Sequence, residues 1–218
     1  MKSCEDVWEI SAEKEREHLE PLPQPDCGTP RPRRLKRVFD VCASAGALVV
    51  LAPLLGIAAL MVLLDDGKPV IYRQARVGQN NELFQIRKFR TMRVGTVSCA
   101  QSEMQNTDRF TRSGRFLRAL SLDELPQLVN ILEGTMSFVG PRPLIPEEDS
   151  IRQMRAAAGV YSALPGLTGW AQVNGRANVS DEEKVALDTE YLRTQSVWMD
   201  IKILLKTAVQ VVSRKDVG

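Results

Sequence analysis

Residues 41–64 read Val-Cys-Ala-Ser-Ala-Gly-Ala-Leu-Val-Val-Leu-Ala-Pro-Leu-Leu-Gly-Ile-Ala-Ala-Leu-Met-Val-Leu-Leu, a run of 24 residues without a charge. As one straight helix this run would be about 36 Å long, enough to cross an apolar bilayer core of about 30 Å. Pro53 lies at its midpoint, where it removes an amide donor and clashes with the carbonyl of Val49. The run therefore predicts either a kinked spanning helix or a bent segment that enters one leaflet and returns.

Cations flank this apolar run on both sides. They are Arg31, Arg33, Arg34, Lys36 and Arg37 before it, and Lys68, Arg73 and Arg76 after it. Positive flanks prefer the cytoplasm, so positive charge at both ends favours a segment whose two ends stay on one side of the membrane. Two legs broken at Pro53 would each be about 18 Å long.

The composition restricts the classes of function. The chain has 218 residues, 44% hydrophobic and 26% charged, with a net charge of +2, which predicts one domain with appendages and does not indicate a nucleic-acid binder. The four cysteines are scattered without metal-ligand spacing and are expected to be reduced thiols. His18 is the only histidine, which argues against a histidine-based triad or a zinc site.

Local patterns divide the rest of the chain. Residues 1–34 are rich in proline and predict a flexible tail. Runs at 70–73 and 83–86 around Gly78-Gln79-Asn80-Asn81 predict a β-hairpin, and the polar residues 94–108 predict a mobile loop. Helical patterns cover 113–119, 122–133, 147–157, 181–193 and 198–213.

The last of these helices carries an apolar stripe. Its members are Trp198, Ile201, Leu205, Ala208 and Val212. Such a stripe is more typical of a face that packs in a protein core, and the alternative is a face that lies on a membrane surface.

Residues 121–143 contain the strongest candidates for chemistry. Asp123 and Glu124 are adjacent carboxylates at the predicted start of a helix, and Gly140-Pro141-Arg142-Pro143 follows as a stiff turn that holds out a guanidinium. Paired acids opposite a fixed Arg suit metal-assisted chemistry on phosphate. A structural alternative is a capping box, in which Ser121 and Glu124 satisfy each other's backbone amides; it leaves the Arg turn unexplained.

Other positions are candidates for binding phosphate or nucleotide. Lys88 and Arg90 would share one face of a strand, and Arg118 lies shortly before the carboxylates; the alternative for all three is a solvated surface charge. In the glycine-rich loop 165–176, Trp170 has the right chemistry to stack on a base and Arg176 to bind a phosphate. The alternative for that loop is a tight turn with a buried Trp.

In this order, the motifs resemble the bacterial sugar transferases, the monotopic phosphoglycosyl transferases that act on polyprenyl phosphate. The resemblance covers about residues 33–217 and looks like the short, catalytic-core form. Its motifs are Phe39-Asp40, the apolar run with its central Pro, Arg76-Val77-Gly78, Lys88-Phe89-Arg90-Thr91-Met92, Ser121 to Leu128, Gly140 to Pro143, Pro165 to Arg176 and Trp198 to Leu204.

The resemblance implies a reaction: transfer of a phosphosugar from a UDP-sugar to undecaprenyl phosphate, with release of UMP. Asp123 would be the nucleophile that forms an aspartyl-phosphosugar, and Asp123 and Glu124 would hold Mg²⁺. The start of a helix is expected to help keep Asp123 ionised. The implied substrate-binding residues are Lys88, Arg90, Arg118, Arg142, Trp170, Gln172 and Arg176.

The resemblance also implies an architecture and partners. We expect an α+β, mostly helical monotopic membrane protein with a small β-hairpin. Residues 1–34 would be a cytosolic tail, 35–66 a re-entrant helix broken at Pro53, and 67–218 a cytosolic catalytic domain with interfacial helices at the bacterial inner membrane. Phospholipid and downstream glycosyltransferases are expected partners, nucleic acid is not, and a homodimer is a further hypothesis. The step would begin assembly of exopolysaccharide, capsule, O-antigen or glycoprotein glycan.

Two other functions remain open from sequence. One is a membrane-anchored interaction protein in which 121–143 serves only capping and packing, and the other is a spanning enzyme whose domain lies outside. The sugar is not specified, although Trp170-Ala171-Gln172, where some relatives have Leu-Trp-Gln, leans toward an N-acetylated amino sugar by analogy.

Overall fold

The computed structural model describes residues 34–93, 109–175 and 179–213. The helices are α1 (Arg34–Val50), α2 (Ala52–Asp66), α3 (Arg112–Ala119), α4 (Gln127–Glu133), α5 (Asp149–Ala157), α6 (Trp170–Asn174), α7 (Asp181–Thr194) and α8 (Val197–Ser213). The strands are β1 (Ile71–Val77), β2 (Leu83–Phe89), β3 (Ser137–Val139) and β4 (Gly166–Thr168), and 3₁₀ turns cover Gln79–Asn81, Leu122–Glu124 and Val160–Ser162. The predicted tail before residue 34, the predicted loop 94–108 and Arg176 lie outside the described residues.

The predicted bend in the apolar run is present between α1 and α2. The two helix axes differ in direction by 64° across Leu51, so no single helix in the described ranges is both long and apolar enough to cross a bilayer, whereas the bent pair together meets that requirement. Pro53 lies in the first turn of α2, where its missing amide would have no helical partner in any case. Apolar side chains on both legs are exposed, among them Val50 at 76% and Leu64 at 77%.

The predicted hairpin is confirmed and is longer than its two apolar runs. Strands β1 and β2 pair antiparallel from Ile71 opposite Phe89 to Val77 opposite Leu83. Asn80 and Asn81 adopt positive φ in the connecting turn, a conformation that Asn tolerates better than most residues. The hairpin carries Arg76 and Lys88 toward the carboxylate turn.

A second, parallel pair of strands was not predicted. Strand β3 pairs with β4 through Ser137 opposite Gly166 and Val139 opposite Thr168. The glycines of these loops permit backbone to approach backbone, because a Cβ on Gly140 would lie 2.3 Å from the Leu164 carbonyl oxygen. The pair brings two loops of distant sequence side by side.

Helix α1 is bonded to the domain that follows it. Arg37 donates to the carbonyls of Ile131 at 2.6 Å and Leu132 at 2.8 Å, at the end of α4. Lys36 pairs with Asp200 of α8 at 2.8 Å, and the buried Asp40 accepts from the Phe138 amide. Two of the basic residues expected to flank the membrane therefore serve internal contacts.

The interpretation of the α8 stripe as a core face is wrong. Trp198 is 78% exposed and Leu205 is 64% exposed, and Ile201 is also exposed. The core side of α8 is instead centred on Ile203, which is fully buried with Tyr191 and Trp170. The sequence stripe identified an amphipathic helix but not which of its apolar residues the rest of the chain covers.

Candidate active site

The two adjacent carboxylates lie in the 3₁₀ turn Leu122–Glu124, which precedes α4. The alternative of a capping box is wrong, because Ser121 adopts a left-handed conformation at φ 54° and its side chain makes no cap bond. Glu124 turns away from Ser121 and pairs with Lys88 of β2, the Nζ–Oε1 distance being 2.7 Å. The predicted helix 122–133 is thus a short turn followed by a helix that starts at Gln127.

Cations lower the pKa of Glu124. Burial would raise the pKa of this carboxyl, but Lys88 and Arg142 outweigh burial and leave the pKa below its usual value. Glu124 is therefore ionised at neutral pH and keeps one carboxylate oxygen beyond the one that accepts from Lys88.

Asp123 is more deeply buried than its neighbour, with 8% of its surface exposed. Burial and the adjacent Glu124 raise the pKa of Asp123, and Lys88 and Arg118 oppose that rise. A backbone hydrogen bond in the turn lowers the pKa of Asp123, in line with the expected help from the helix start, but burial and Glu124 outweigh it. No described side chain is hydrogen-bonded to its carboxylate.

Arg142 approaches the same cleft from the loop after β3. The cleft is lined by Arg76, Lys88, Glu124, Gln127, Arg142 and Gln172, together with the hydrophobic or backbone surfaces of Ile86, Pro143, Gly166 and Leu167. One carboxylate, Glu124, and three cations thus converge from four segments of the chain, while Asp123, the residue before Glu124, interacts with Lys88 electrostatically from outside this lining. Such a site binds an anion while presenting hard oxygen ligands.

Arg76 is a member of this cleft that the sequence analysis did not select. Its guanidinium donates to Gln74 at 2.7 Å and to the Pro143 carbonyl at 3.4 Å, while its buried Nε has no hydrogen-bond partner among the described residues. Burial and the neighbouring Arg142 lower the pKa of Arg76 to about 10. The signal available in sequence was its place in the Arg76-Val77-Gly78 motif, but local pattern does not show that β1 faces the carboxylates.

Gln172 is placed in the cleft, as predicted for a substrate-binding residue. Its amide nitrogen reaches the Leu167 carbonyl at 3.4 Å, and its buried Oε1 has no hydrogen-bond partner in the described part of the chain. An unpaired acceptor beside several cations is available to a ligand donor, such as a hydroxyl.

Two predicted binding residues lie elsewhere. Arg90 is 5% exposed and donates to the carbonyls of Asp66 and Gly67 at the end of α2, so the structure separates it from Lys88. Trp170 is 9% exposed, donates to Glu190 at 3.0 Å, and has Lys202 and Lys206 against its ring. The alternative of a buried Trp in a tight turn fits the structure better than a base-stacking surface.

Arg118 lies near the carboxylates but outside the lining of the cleft. Its guanidinium is 4.8 Å from the centre of the Phe110 ring, and its charge is one of those that lower the pKa of Asp123. Arg176 falls in the part of the chain that the structure does not describe, so its role stays a prediction.

The donor set fits Mg²⁺ rather than a protein-enclosed metal. Within the described ranges no group of three or more His, Cys, Asp or Glu side chains converges. Magnesium needs only one or two carboxylates when substrate phosphates and water complete its shell. Asp123 and the second oxygen of Glu124 would be the candidate ligands of such an ion.

Comparison with known proteins assigns the chain to a family. The sequence model described as "Bacterial sugar transferase" matches residues 31–214. A protein from Komagataeibacter xylinus named "Undecaprenyl-phosphate glucose phosphotransferase" is 43% identical over 184 residues, which cover 79% of this chain and 35% of the relative. The chain therefore belongs to the bacterial sugar transferase family, in agreement with the resemblance seen in its motifs.

Two further relatives extend the comparison. "UDP-glucose:undecaprenyl-phosphate glucose-1-phosphate transferase" of Caulobacter vibrioides is 45% identical over 181 residues, 79% of this chain and 67% of the relative. "Exopolysaccharide production protein ExoY" of Rhizobium meliloti is 41% identical over 189 residues, 79% of this chain and 83% of the relative. The chain thus spans about a third of the Komagataeibacter protein and most of the Rhizobium protein.

Proposed function

We propose that this chain transfers a phosphosugar from a UDP-sugar to undecaprenyl phosphate and releases UMP. The observation that carries the proposal is the convergence of Glu124 with Lys88, Arg76 and Arg142 in one cleft of a bacterial sugar transferase chain, with Asp123 directly before Glu124 and within electrostatic reach of Lys88. The names of two relatives support a sugar-1-phosphate transfer to undecaprenyl phosphate, and the name of a third supports a role in exopolysaccharide production.

The reaction would run in two displacements at phosphorus. An Asp123 oxygen attacks the phosphorus that bears the sugar, the bond to the bridging oxygen breaks, and UMP leaves with that electron pair. A phosphate oxygen of undecaprenyl phosphate then attacks the same phosphorus and displaces the Asp123 carboxylate. Dividing the transfer in this way lets one site serve a soluble donor first and a lipid acceptor second.

The surrounding side chains would prepare Asp123 and the diphosphate. Lys88 and Arg118 favour the ionised, nucleophilic form of Asp123 against the effect of burial. Arg142 and Arg76 would complement negative charge on phosphoryl oxygens, a form of electrostatic stabilisation that is often the largest contribution to catalysis. Gln172 offers an acceptor to a donor hydroxyl.

Mg²⁺ is part of the proposal, with Asp123 and Glu124 as its protein ligands. The ion would neutralise the diphosphate that otherwise repels an anionic nucleophile. Lys88 then has a second task, which is to orient Glu124 through the 2.7 Å ion pair.

We further propose that α1 and α2 form a re-entrant anchor at the cytoplasmic face of the inner membrane. The 64° bend and the exposed apolar residues on both legs support this topology. The exposed Trp198 and Leu205 of α8 support an interfacial position for that helix. The three-part layout of tail, re-entrant segment and catalytic domain follows from this proposal.

The donor sugar is proposed from the relatives as glucose, with an N-acetylated amino sugar as the alternative. A homodimer and contacts with downstream glycosyltransferases remain predictions.

One experiment tests the reaction directly. The full chain in nanodiscs containing undecaprenyl phosphate and Mg²⁺ would be given a panel of UDP-hexoses and UDP-N-acetylhexosamines, with UMP as the readout. We expect UMP from one donor, and about one UMP per enzyme when the lipid acceptor is omitted. Asp149→Asn, which alters an exposed carboxylate of α5, is the matched control for Asp123→Asn. Silence with every donor would favour a membrane-anchored interaction protein.

A further inference from the structure

A buried ion pair lies next to residues 140–144, the loop that contains Arg142. Arg155 of α5 lies with its Nη2 atom 2.6 Å from Asp188 Oδ2 of α7, and the two side chains are 3% and 1% exposed. The other terminal nitrogen of the same guanidinium, Nη1, donates to the carbonyl oxygen of Arg142 at 2.6 Å. One guanidinium therefore forms an ion pair with a carboxylate on α7 and a hydrogen bond to the backbone of a residue in the cleft.

The same loop is bonded along its length. The Gly140 amide donates to the Thr168 carbonyl at 2.9 Å, and the Gly166 amide donates to the Pro141 carbonyl at 2.9 Å. Further on, the Val77 amide donates to the Leu144 carbonyl at 2.9 Å. The Arg142 carbonyl, in the middle of the loop, is bonded by Arg155 alone among the described residues.

The stability of the fold does not by itself explain why this ion pair is buried. A carboxylate and a guanidinium removed from water stabilise a fold little more than apolar side chains of similar volume, and often less. Burial raises the pKa of Asp188, although Arg155 opposes that rise, so the carboxylate is held in an unfavourable environment. A role in orientation would account for a pair of this kind, because a guanidinium with two fixed partners has little rotational freedom.

We propose that Asp188 and Arg155 are positioning residues for Arg142. Asp188 orients the Arg155 guanidinium, and Arg155 holds the Arg142 carbonyl so that the Arg142 side chain stays directed at the cleft. Neither residue lines the cleft, so their effect on the reaction passes through Arg142. This inference rests on the proposed function only where UMP release is the readout. Hydrogen exchange of the backbone amides gives a second readout that does not depend on activity.

The first test is a double-mutant cycle in the UMP assay, with full-length protein in nanodiscs. We expect Asp188→Asn to lower kcat/KM at least tenfold in the wild-type background and less than twofold in the Arg142→Ala background. The unfolding temperature should fall equally in both backgrounds, because the lost ion pair is the same. Equal fold losses of activity in the two backgrounds would overturn the proposal.

The second test measures the loop itself by hydrogen exchange. Asp188→Asn should speed exchange of the Gly140, Arg142 and Leu144 amides at least tenfold and leave the hairpin 71–89 unchanged. Asp149→Asn, which breaks an ion pair with the adjacent Arg152, is the control and should change neither region. Unchanged exchange in 140–144 would overturn the positioning role even if the enzyme proves to have another reaction.

A conservative variant covers the case in which Asp188→Asn does not fold. Arg155→Lys keeps a cation for Asp188, but an ammonium lacks the fork that reaches both partners at once. We expect this variant to fold, to lose at least fivefold in kcat/KM, and to show the same dependence on Arg142. A fully active Arg155→Lys enzyme would contradict the two-partner geometry. The wild-type protein could release no UMP while Asp188→Asn still speeds amide exchange in 140–144. That pair of results would count against the proposed reaction and not against the positioning role.

Discussion

Lys88 and Glu124 are 36 positions apart in sequence, and their Nζ and Oε1 atoms lie 2.7 Å apart in the structure. The pair joins the β1–β2 hairpin to the turn that carries both carboxylates. The two acids also differ in their surroundings. Glu124 has a direct cationic partner and a lowered pKa, whereas Asp123 has no such partner among the described residues and has a raised pKa. This difference between neighbours supports different roles for them.

Substitution of the two acids should change stability in opposite directions. A carboxyl whose pKa is raised by folding destabilises the protein as pH rises through that pKa, so Asp123→Asn should raise the unfolding temperature at neutral pH. Glu124 has a lowered pKa and stabilises the fold above its unfolded pKa, so Glu124→Gln should lower the unfolding temperature.

Asp123→Asn should also reduce UMP release at least about a thousandfold. Calorimetry at pH 7 without Mg²⁺, beside the UMP assay, measures both. An active Asp123→Asn enzyme would remove the nucleophile assignment.

The acid limb of the pH–rate profile should depend on Lys88. The proposed nucleophile, Asp123, must be ionised and has a raised pKa, so kcat/KM should fall as pH is lowered through a range above that of an ordinary Asp. Lys88 lowers the pKa of Asp123, so Lys88→Met should move the acid limb to higher pH in addition to reducing the rate. Arg73→Met, at an exposed position on β1, is the control. An acid limb that does not move would show that the titrating group is not Asp123.

Arg90 should matter for stability and not for chemistry. Arg90→Met removes donors to two carbonyls at the end of α2 and an ion pair with Asp66 at 3.1 Å, a loss of about 2 kcal/mol in the free energy of unfolding. Activity per folded molecule should stay within about threefold of wild type. Denaturant titration and the UMP assay separate the two effects. A large rise in KM for the UDP-sugar in Arg90→Met would instead show that Arg90 contributes to substrate binding.

Trp170 provides a test of the glycine-rich loop. Trp170→Phe removes the indole donor to Glu190 while retaining a buried ring, so we expect a stability loss of about 1 kcal/mol and a donor KM within about twofold. Gln172→Ala, at a residue that lines the cleft, should raise the donor KM by about tenfold, because it deletes an acceptor facing the site. The reverse order of the two KM effects would show that the ring, and not the amide, contacts substrate.

The re-entrant topology predicts that both ends of the bent pair lie on one side of the membrane. In a background without the four natural cysteines, Arg34→Cys and Glu82→Cys place single thiols at exposed positions before and after the pair. An impermeant maleimide should label neither thiol in intact cells and both after permeabilisation. Labelling of one thiol alone in intact cells would establish a spanning segment.

Local sequence patterns predicted the elements that depend on local interactions. The break near Pro53 and the hairpin around Asn80 follow from backbone chemistry, which acts over a few residues. The helix expected at 181–193 is observed as Asp181–Thr194, with Ser180 as its N-cap. The motif order was also sufficient to identify the family.

Features that depend on distant partners were missed or misjudged. The β3–β4 pair requires segments of different loops to meet, and the capping box failed because Glu124 had a stronger partner, Lys88, on another element. Arg90 was predicted as a binding residue from its spacing to Lys88, and Arg76 was not, whereas their neighbours decide their roles: Arg90 binds carbonyls at a helix end and Arg76 faces the cleft. Sequence spacing carries little information about which charged side chains will be buried together.

The bonds from Arg37 to the last carbonyls of α4 have a mechanical consequence. Because α4 follows the turn that carries Asp123 and Glu124, these bonds connect that turn to α1, the first leg of the proposed re-entrant anchor. If the re-entrant anchor forms as proposed, we expect the rate of UMP release to vary with the thickness of the surrounding bilayer even where every substrate contact is intact.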